Sequence, residues 1–473
     1  MMATRIRMAI VIVSVLAALL IAAVLVAWLL VDTDQVKKRI EAGLSDITNM
    51  DVQIGQPLRF GLLQGPSVTI AELELSRQGQ VVATAESVSV GLATFSLLTG
   101  NVHPIDLHIK QPELVIKRSS PGVFNIDGTD PEELDALSLR RLRVSDARFT
   151  YIDQTSEMGW LFEHCDLELR NIHHNGGMPD QALASLAAEG DLQCDTLSQS
   201  RFKASDFSMK VRGDSGVFTL KPVKATAFEG EASGWIEADL SSRTPALRLE
   251  YGLAEFDFGA FMGKLNPDQA ATGNVDLELS LNAQGNTWQE LRNSATGMLS
   301  LSSGELTIDG YDLDDELADY TKTQNFNLID VGAVFIAGPV GLVVTRGYAF
   351  TGVLQGSGGS TTIDQMISEW VIEGGVAQAR DVAFRTPQNR LALTGALDFV
   401  NYRFQDMQVA VIDSDGCAVV EQRITGPFHE PEIERPNVLV AVTGPMLDLV
   451  KRGVRAITGG DCETFYTGSM PHP

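Results

Sequence analysis

The sequence has little of what most catalytic, metal-binding and nucleic-acid-binding proteins require. Its four cysteines, Cys165, Cys194, Cys417 and Cys462, are scattered over 473 residues, and no Cys-x-x-Cys occurs. That excludes a zinc ribbon and a thioredoxin motif. In an oxidising compartment the four allow two disulfides in three connectivities, with free buried thiols as the alternative. No Gly-x-x-x-x-Gly-Lys-Ser/Thr phosphate loop is present. Basic residues are scarce, 36 against 61 acids, for a net charge of −25. A nucleic-acid binder needs a basic face for phosphates, so no nucleic acid is expected as a partner. The same charge suits a body that resists self-association.

Long hydrophobic runs are also lacking, with one exception. Met8 to Val31 holds 24 residues with a single polar side chain, Ser14. At about 1.5 Å per residue, a helix of that length spans the hydrocarbon core of a bilayer. Arg5 and Arg7 precede it and Asp32 and Asp34 follow it, which favours a cytoplasmic N-terminus and export of the rest. Lys37, Lys38 and Arg39 pull the other way. The run is too long for a secretory signal, and Val26-Ala27-Trp28-Leu29 is a poor cleavage site. The expectation is an uncleaved anchor carrying a body of over 400 residues.

After the anchor, Val36, Ile40, Leu44 and Ile47 recur at steps of four and three, which predicts an amphipathic helix over Asp32–Thr48. Such a helix can rest on lipid, plug one end of a following sheet, or pack on its own domain. From Val52 the period becomes two. Val68-Thr69-Ile70 and Leu73-Glu74-Leu75 alternate, with a shift between them that predicts a bulge. Val88–Leu92, Ile105–Ile109, Leu114–Ile116, Leu167–Leu169, Phe207–Val211, Val275–Leu281 and Leu391–Thr394 alternate as well. Many short strands with turn signals between them mean an antiparallel β protein with one apolar and one polar face. Helices are few: short turns at Phe95–Leu98 and Trp288–Arg292, and amphipathic helices at Tyr311–Thr321 and Met446–Ile457. Gly356–Ser360, Asp130–Leu137 and Asn175–Asp180 read as loops. An open sheet must have its apolar face covered. Alternation alone does not distinguish a sandwich, in which protein covers it, from a curved sheet covered by lipid.

Candidate chemistry is sparse. Gly213-Asp214-Ser215-Gly216 lacks the histidine and aspartate of a serine nucleophile's triad and reads as a turn. His164, Cys165, His173, His174 and Cys194 fit no zinc spacing, so no metal is assigned, and a Cys165–Cys194 disulfide or buried thiols is the reading. Asp413-Ser414-Asp415-Gly416 is a fragment of a calcium loop without its later glutamate. Asp312, Asp314, Asp315, Glu316 and Asp319 suit a helix start. No catalytic residue and no cofactor are assigned, and an enzyme is not expected.

Three stretches carry a resemblance. The first runs from Leu44 to Asn125 and includes Gly65–Ile70, Ala83–Val88, Leu97-Leu98-Thr99-Gly100, Pro112–Ile116 and Gly122-Val123-Phe124-Asn125. The second, Gly285–Leu317, includes Gly297–Leu301 and Gly304-Glu305-Leu306-Thr307-Ile308-Asp309-Gly310-Tyr311-Asp312-Leu313. The third, Gly374–Ile433, includes Leu391–Gly395, Ile424-Thr425-Gly426 and Pro431-Glu432-Ile433, and is followed by Cys462-Glu463-Thr464-Phe465-Tyr466. In order and spacing, behind an N-terminal anchor, they resemble the AsmA family. The middle, about Leu139 to Ala271, matches only in its alternation.

The resemblance implies an inner-membrane-anchored periplasmic protein of Gram-negative bacteria, linked to outer-membrane assembly and related to chorein-type bridges whose curved β-sheets form a hydrophobic gutter for lipid. It also makes Cys417 the natural partner of Cys462. Such a bridge would close a loop of 46 residues, worth roughly 4 kcal/mol in the chain-entropy model. The expected organisation is residues 1–31 as cytoplasmic N-terminus and anchor, 32–130 and 273–473 as AsmA-like N- and C-terminal β-regions, and 131–272 as a middle β-region. The expected fold is mainly β, an extended, curved, open antiparallel sheet. Phospholipid is the expected cargo, the inner membrane is bound through residues 8–31, and outer-membrane assembly proteins are candidate partners. The groove residues singled out are Val68, Ile70, Val88, Val90, Leu92, Ile105, Leu107, Ile109, Leu277, Leu279 and Leu281. Ordinary core packing is their alternative, and a regulatory protein binding assembly partners without moving lipid is the alternative function.

Overall fold

Alternation becomes strand nearly everywhere. The structure, a computed structural model, describes residues 33–55, 57–61, 66–93, 104–119, 123–126, 137–154, 158–174, 183–200, 202–265, 270–310, 312–323, 358–435, 437–438 and 463–473. The expected anchor at 8–31, the turn at Phe95–Leu98, the loop at Asn175–Asp180 and the helix at Met446–Ile457 lie outside these residues.

The chain begins with α1 (Thr33–Thr48), then β1 (Asp51–Ile54), β2 (Arg59–Gly61), β3 (Ser67–Arg77), β4 (Gln80–Leu92), β5 (Pro104–Lys110) and β6 (Glu113–Arg118). Long strands follow: β7 (Leu137–Asp153), β8 (Met158–His174), β9 (Ala187–Gln199), β10 (Phe202–Asp214), β11 (Val217–Ala227), β12 (Gly230–Asp239) and β13 (Ala246–Asp257). Next are α2 (Phe258–Leu265), β14 (Ala271–Thr272), β15 (Asn274–Gln284), α3 (Trp288–Ser294), β16 (Thr296–Ser303), β17 (Leu306–Asp309) and α4 (Leu313–Thr323). The last are β18 (Ser360–Ile363), β19 (Gln365–Glu373), β20 (Val376–Arg385), β21 (Arg390–Asp398), β22 (Arg403–Ile412), β23 (Ala418–Pro427), β24 (Glu432–Ile433) and β25 (Asn437–Val438).

Twenty-two strands form one sheet, and β14, β17 and β18 form a second of three. Each strand of the large sheet pairs in the main with the next along the chain. Where two short strands pair with the same neighbour (β1 and β2 on β3, β5 and β6 on β4 and β7, β24 and β25 on β23), they share a rank. The result is nineteen ranks, roughly 85 Å along the stacking direction at about 4.8 Å each. The sheet is mainly β and curved as expected, but it is not wholly antiparallel. β5 and β6 run parallel to β7. The reason is the break at Gln111-Pro112: β6 continues the rank of β5 in the same direction, so the chain must cross back between Arg118 and Leu137 before β7 can start alongside.

A crease runs across the strands. Glu72, Gln111, Asp146, His164, Asp206 and Glu255, in or between β3, β5/β6, β7, β8, β10 and β13, have φ between 45° and 54°. All six side chains are exposed. A left-handed residue interrupts the two-residue alternation and bends the strand. This accounts for the shift read between Ile70 and Leu73, although β3 and β4 stay in step there because β4 shifts its burial pattern opposite. Past the crease, Phe149, Phe162 and Leu197 still share the inner face with Val144, Leu167 and Leu192.

The two ends of the sheet are finished differently. At the N-terminal end α1 lies along the free edge of β1, its Glu41 Oε1 accepting from Ile54 N at 2.9 Å and its Ser45 Oγ from Val52 N at 3.3 Å. Val36 and Ile40 pack on Ile54, Leu58 and Ile70. An open strand edge invites pairing with another chain, and the helix satisfies its donors. At the C-terminal end both faces of β19–β23 are covered. On one, α2, α4, β17 and β18 pack over the sheet, placing Phe261, Leu306, Leu313, Leu317 and Ile363 against Leu299, Trp370, Phe384, Leu393 and Phe404. On the other, residues 463–473 pack Tyr466 and Met470 on Ala383, Ala392, Ala410 and Ile412. Tyr466 donates to Asp381 Oδ1 at 2.5 Å, and Arg390 donates to the Met470 carbonyl at 2.8 Å. Burial, with the Asp381 hydrogen bond second, pushes the Tyr466 phenol up.

Covered and uncovered ranks should respond differently to truncation. Leu393→Ala, at a side chain 2% exposed, should cost about 2–5 kcal/mol. Leu142→Ala, on the half-exposed face, should cost less because it leaves no closed cavity. Urea unfolding followed by tryptophan fluorescence checks the difference; equal losses would contradict it.

Candidate functional site

Rank by rank, apolar side chains stand directly opposite one another. One ladder runs Val68, Val90, Leu107, Leu142, Leu169, Gly190, Val211, Leu220, Ile236, Leu249 and Leu281. Two residues along each strand, or three on β11 where the register shifts between Leu220 and Val223, a second runs Ile70, Val88, Ile109, Val144, Leu167, Leu192, Met209, Val223, Gly234, Tyr251, Leu279, Leu299 and Trp370. Opposed residues share a face, so the two ladders make one apolar floor from β3 to β16.

This floor is half-exposed over most of its length. Val88, Val90, Leu107, Ile109, Leu142, Val144, Leu167, Leu169, Leu192, Met209, Val211, Leu220, Ile236, Leu249 and Leu281 are all intermediate in exposure. It is covered at both ends, and Val223 of β11, 4% exposed, is buried between them. Ile70 is 7% exposed under α1, and Leu299 is 7% and Trp370 2% exposed within the C-terminal core. Of the residues singled out in sequence, Val68, Val88, Val90, Leu107 and Ile109 fall on the two ladders, and Leu92 and Ile105 lie beside them, half-exposed. Ile70 sits at the covered N-terminal end. Leu277 and Leu279 pack against the C-terminal core, with Leu281 beyond it on the floor. The middle ranks that sequence reading left out, Leu142 to Leu249, carry the same alternation as the chosen ones. Tyr251 is the one hydroxyl on the two ladders. Its ring lies on Gly234, where a Cβ would meet a ring carbon at 2.6 Å, and burial pushes its phenol up.

Residues 179–337 match the model of the AsmA family. This stretch is an AsmA-family region, and the match supports membership of the chain in that family. No curated protein and no solved structure matches the chain. The matched residues hold β9–β13, the last ranks of the open floor, and the start of the covered module. Of the three stretches that carried the resemblance, Gly285–Leu317 lies inside the match, while Leu44–Asn125 and Gly374–Ile433 lie outside it. Most of the middle, which showed only alternation in sequence, lies inside.

The AsmA-family region shares its first strand with a disulfide. Cys165 and Cys194 are directly opposed on β8 and β9 and bonded, both buried on the apolar face. Their thiolates are therefore not metal ligands. A loop of that length, closed by a separation of 29 residues, is worth about 3–4 kcal/mol in the chain-entropy model. Cys417 is disulfide-bonded too, and its expected partner, Cys462, lies outside the described residues.

The other motifs resolve into structure. Gly213–Gly216 makes the β10–β11 turn, with Ser215 and Gly216 both left-handed at φ 49° and 82°. Asp413 Oδ1 accepts from Asp415 N and Cys417 N, each at 2.9 Å, as a turn does. Asp312 caps α4 by accepting from Asp315 N. Asp314 accepts from Thr386 Oγ1 and Asn389 Nδ2, both at 2.6 Å, and burial raises its pKa.

On the outer face the crease residues bond to one another. His164 Nδ1 lies 2.7 Å from Asp146 Oδ1, Gln111 Nε2 donates to Asp146 Oδ2 at 2.9 Å, and Arg148 pairs with Glu163 at 3.4 Å. The hydrogen bond to Asp146 raises the His164 pKa from 6.5, and the same bond lowers that of Asp146 from 3.8. The histidine's contribution is complete below pH 6.5 and is lost as pH rises through its raised value. The aspartate's is complete above pH 3.8 and is lost as pH falls through its depressed value. The pair is strongest between those two limits. An NMR titration should place the His164 midpoint above 6.5, and Asp146→Asn should bring it back; an unmoved midpoint would show the contact is not made in solution.

Reduction should lower the denaturation midpoint of the wild-type protein. Cys165→Ser/Cys194→Ser should reproduce that part of the loss which belongs to β8–β9. A double variant as stable as the oxidised wild type would show that the bond adds nothing to the sheet.

Proposed function

We propose that the chain is an envelope-assembly protein that carries the acyl chains of phospholipids along the half-exposed floor between inner and outer membrane. It is held to the inner membrane by residues 8–31, with the body in the periplasm, and acts as a carrier and not an enzyme. One observation carries this reading: two apolar ladders, interrupted only by Gly190 and Gly234 and mostly half-exposed across some ten ranks of a sheet whose opposite face is charged. An acyl chain in water costs roughly 0.8 kcal/mol per exposed methylene. An apolar floor removes that cost along the way while the headgroup stays wet. Passive transfer down a gradient needs no nucleotide. The AsmA-family match and the large sheet fit a family linked to envelope assembly.

Photocrosslinking side chains at Val90 and Leu107 in intact cells should capture phospholipid, while neighbouring Ser89 and Asp106, on the other face, should not. A carboxylate at Leu107 should abolish capture at Val90. Crosslinks to protein alone, with the fold intact, would move the function to partner binding without transfer.

A further inference from the structure

The floor and the C-terminal core belong to one continuous sheet, yet they offer an acyl chain very different surroundings. Beyond Ile70 and up to β13 the ladders are half-exposed, apart from Gly190 and Val223, which are buried. From β16 onward the same face is shut by the protein's own second layer. Phe258, Phe261 and Met262 of α2, Leu306 of β17, Leu313 of α4 and Ile363 of β18 are all below 6% exposed against it. The change is abrupt. Tyr251 on β13 and Leu279 on β15 are half-exposed, whereas Leu299, the next residue in their ladder, is buried, and Trp370 after it is more so.

Beside the junction, one strand end of β10–β13 is closed by aromatic rings. Phe228, at the β11–β12 turn, meets Phe261 edge-on at 5.4 Å, Phe202 at 6.0 Å and Phe256 at 6.3 Å. Phe256 and Phe261 are themselves 5.9 Å apart. Phe256 and Phe261 are buried in the core, and Phe202 and Phe228, half-buried, pack against it. Protein interiors pack without voids wide enough for a chain to pass. Opening this one would expose the most apolar part of the molecule to water.

From this we propose that the trough is blind at its distal end. Leu249 and Tyr251 of β13, with Leu281 and Leu279 opposite them on β15, form the last station that an acyl chain reaches. Cargo enters and leaves sideways over the strand ends away from this ring cluster, and the module from β16 to β23 is a stop, not a conduit. The inference rests on the carrier reading above and limits it: transfer beyond β15 requires a partner that receives lipid at the flank of the sheet.

The test uses the unmodified full chain in membranes, with a diacyl phospholipid carrying a photoactivatable diazirine in one acyl chain. After irradiation, adducts are mapped by peptide mass spectrometry. Adducts should run along the floor from Val88 to Tyr251 and Leu279 and be lost from Leu393, Val409 and Ile424. Adducts on those three would overturn the blind end and leave the carrier reading standing. No adduct on any floor strand would defeat the carrier reading itself, and the inference with it.

Discussion

Everything in this molecule follows from one constraint: from β3 to β16 the sheet keeps its apolar residues opposite one another on one face, beyond that on both, and an apolar face must be covered. Register enforces the constraint. A slip of one residue in any strand would turn its apolar set to the charged side. The charged side is itself paired across strands, as in Arg143–Glu168, Arg170–Asp191 and Arg248–Glu237. Such exposed pairs add little stability each, but like charges left opposite in a slipped register would oppose it.

The chain meets the constraint in two ways within one sheet. Beyond β15 it uses protein: α2, α4 and a small sheet on one face, and residues 463–473 on the other. Before β15 the described residues leave the face half-open, apart from α1 at the first rank. The covered part is therefore the stable frame, and the open part is a surface with room for a ligand. The crease belongs to the same logic. Six left-handed polar residues bend the strands, and each one resets the alternation so that the apolar side stays inward past the bend.

Much of this was legible in the sequence. Period-two runs such as Val88–Leu92 and Ile105–Ile109 became strands, and Tyr311–Thr321 became α4, two residues later at each end. What the sequence did not disclose was which ranks are covered. Leu277-x-Leu279-x-Leu281 has the pattern of Ile105-x-Leu107-x-Ile109, but its first two leucines pack on a core built from residues far along the chain. That core includes α2, whose Phe258-Gly259-Ala260-Phe261-Met262-Gly263 carries two glycines and little helix propensity, and is held by packing. The clue was the continuous apolar runs Leu391-Ala392-Leu393 of β21 and Val409-Ala410-Val411-Ile412 of β22, typical of strands buried on both faces. The parallel step at β5–β7 was hidden because alternation specifies a face but not a direction.

The central claim is that the half-open floor is occupied by lipid. The most direct measurement is native mass spectrometry of the full chain released gently from membranes. The account predicts discrete added masses in the phospholipid range, retained under conditions that strip detergent. A protein that keeps its fold and both its disulfides but carries no such mass would contradict it.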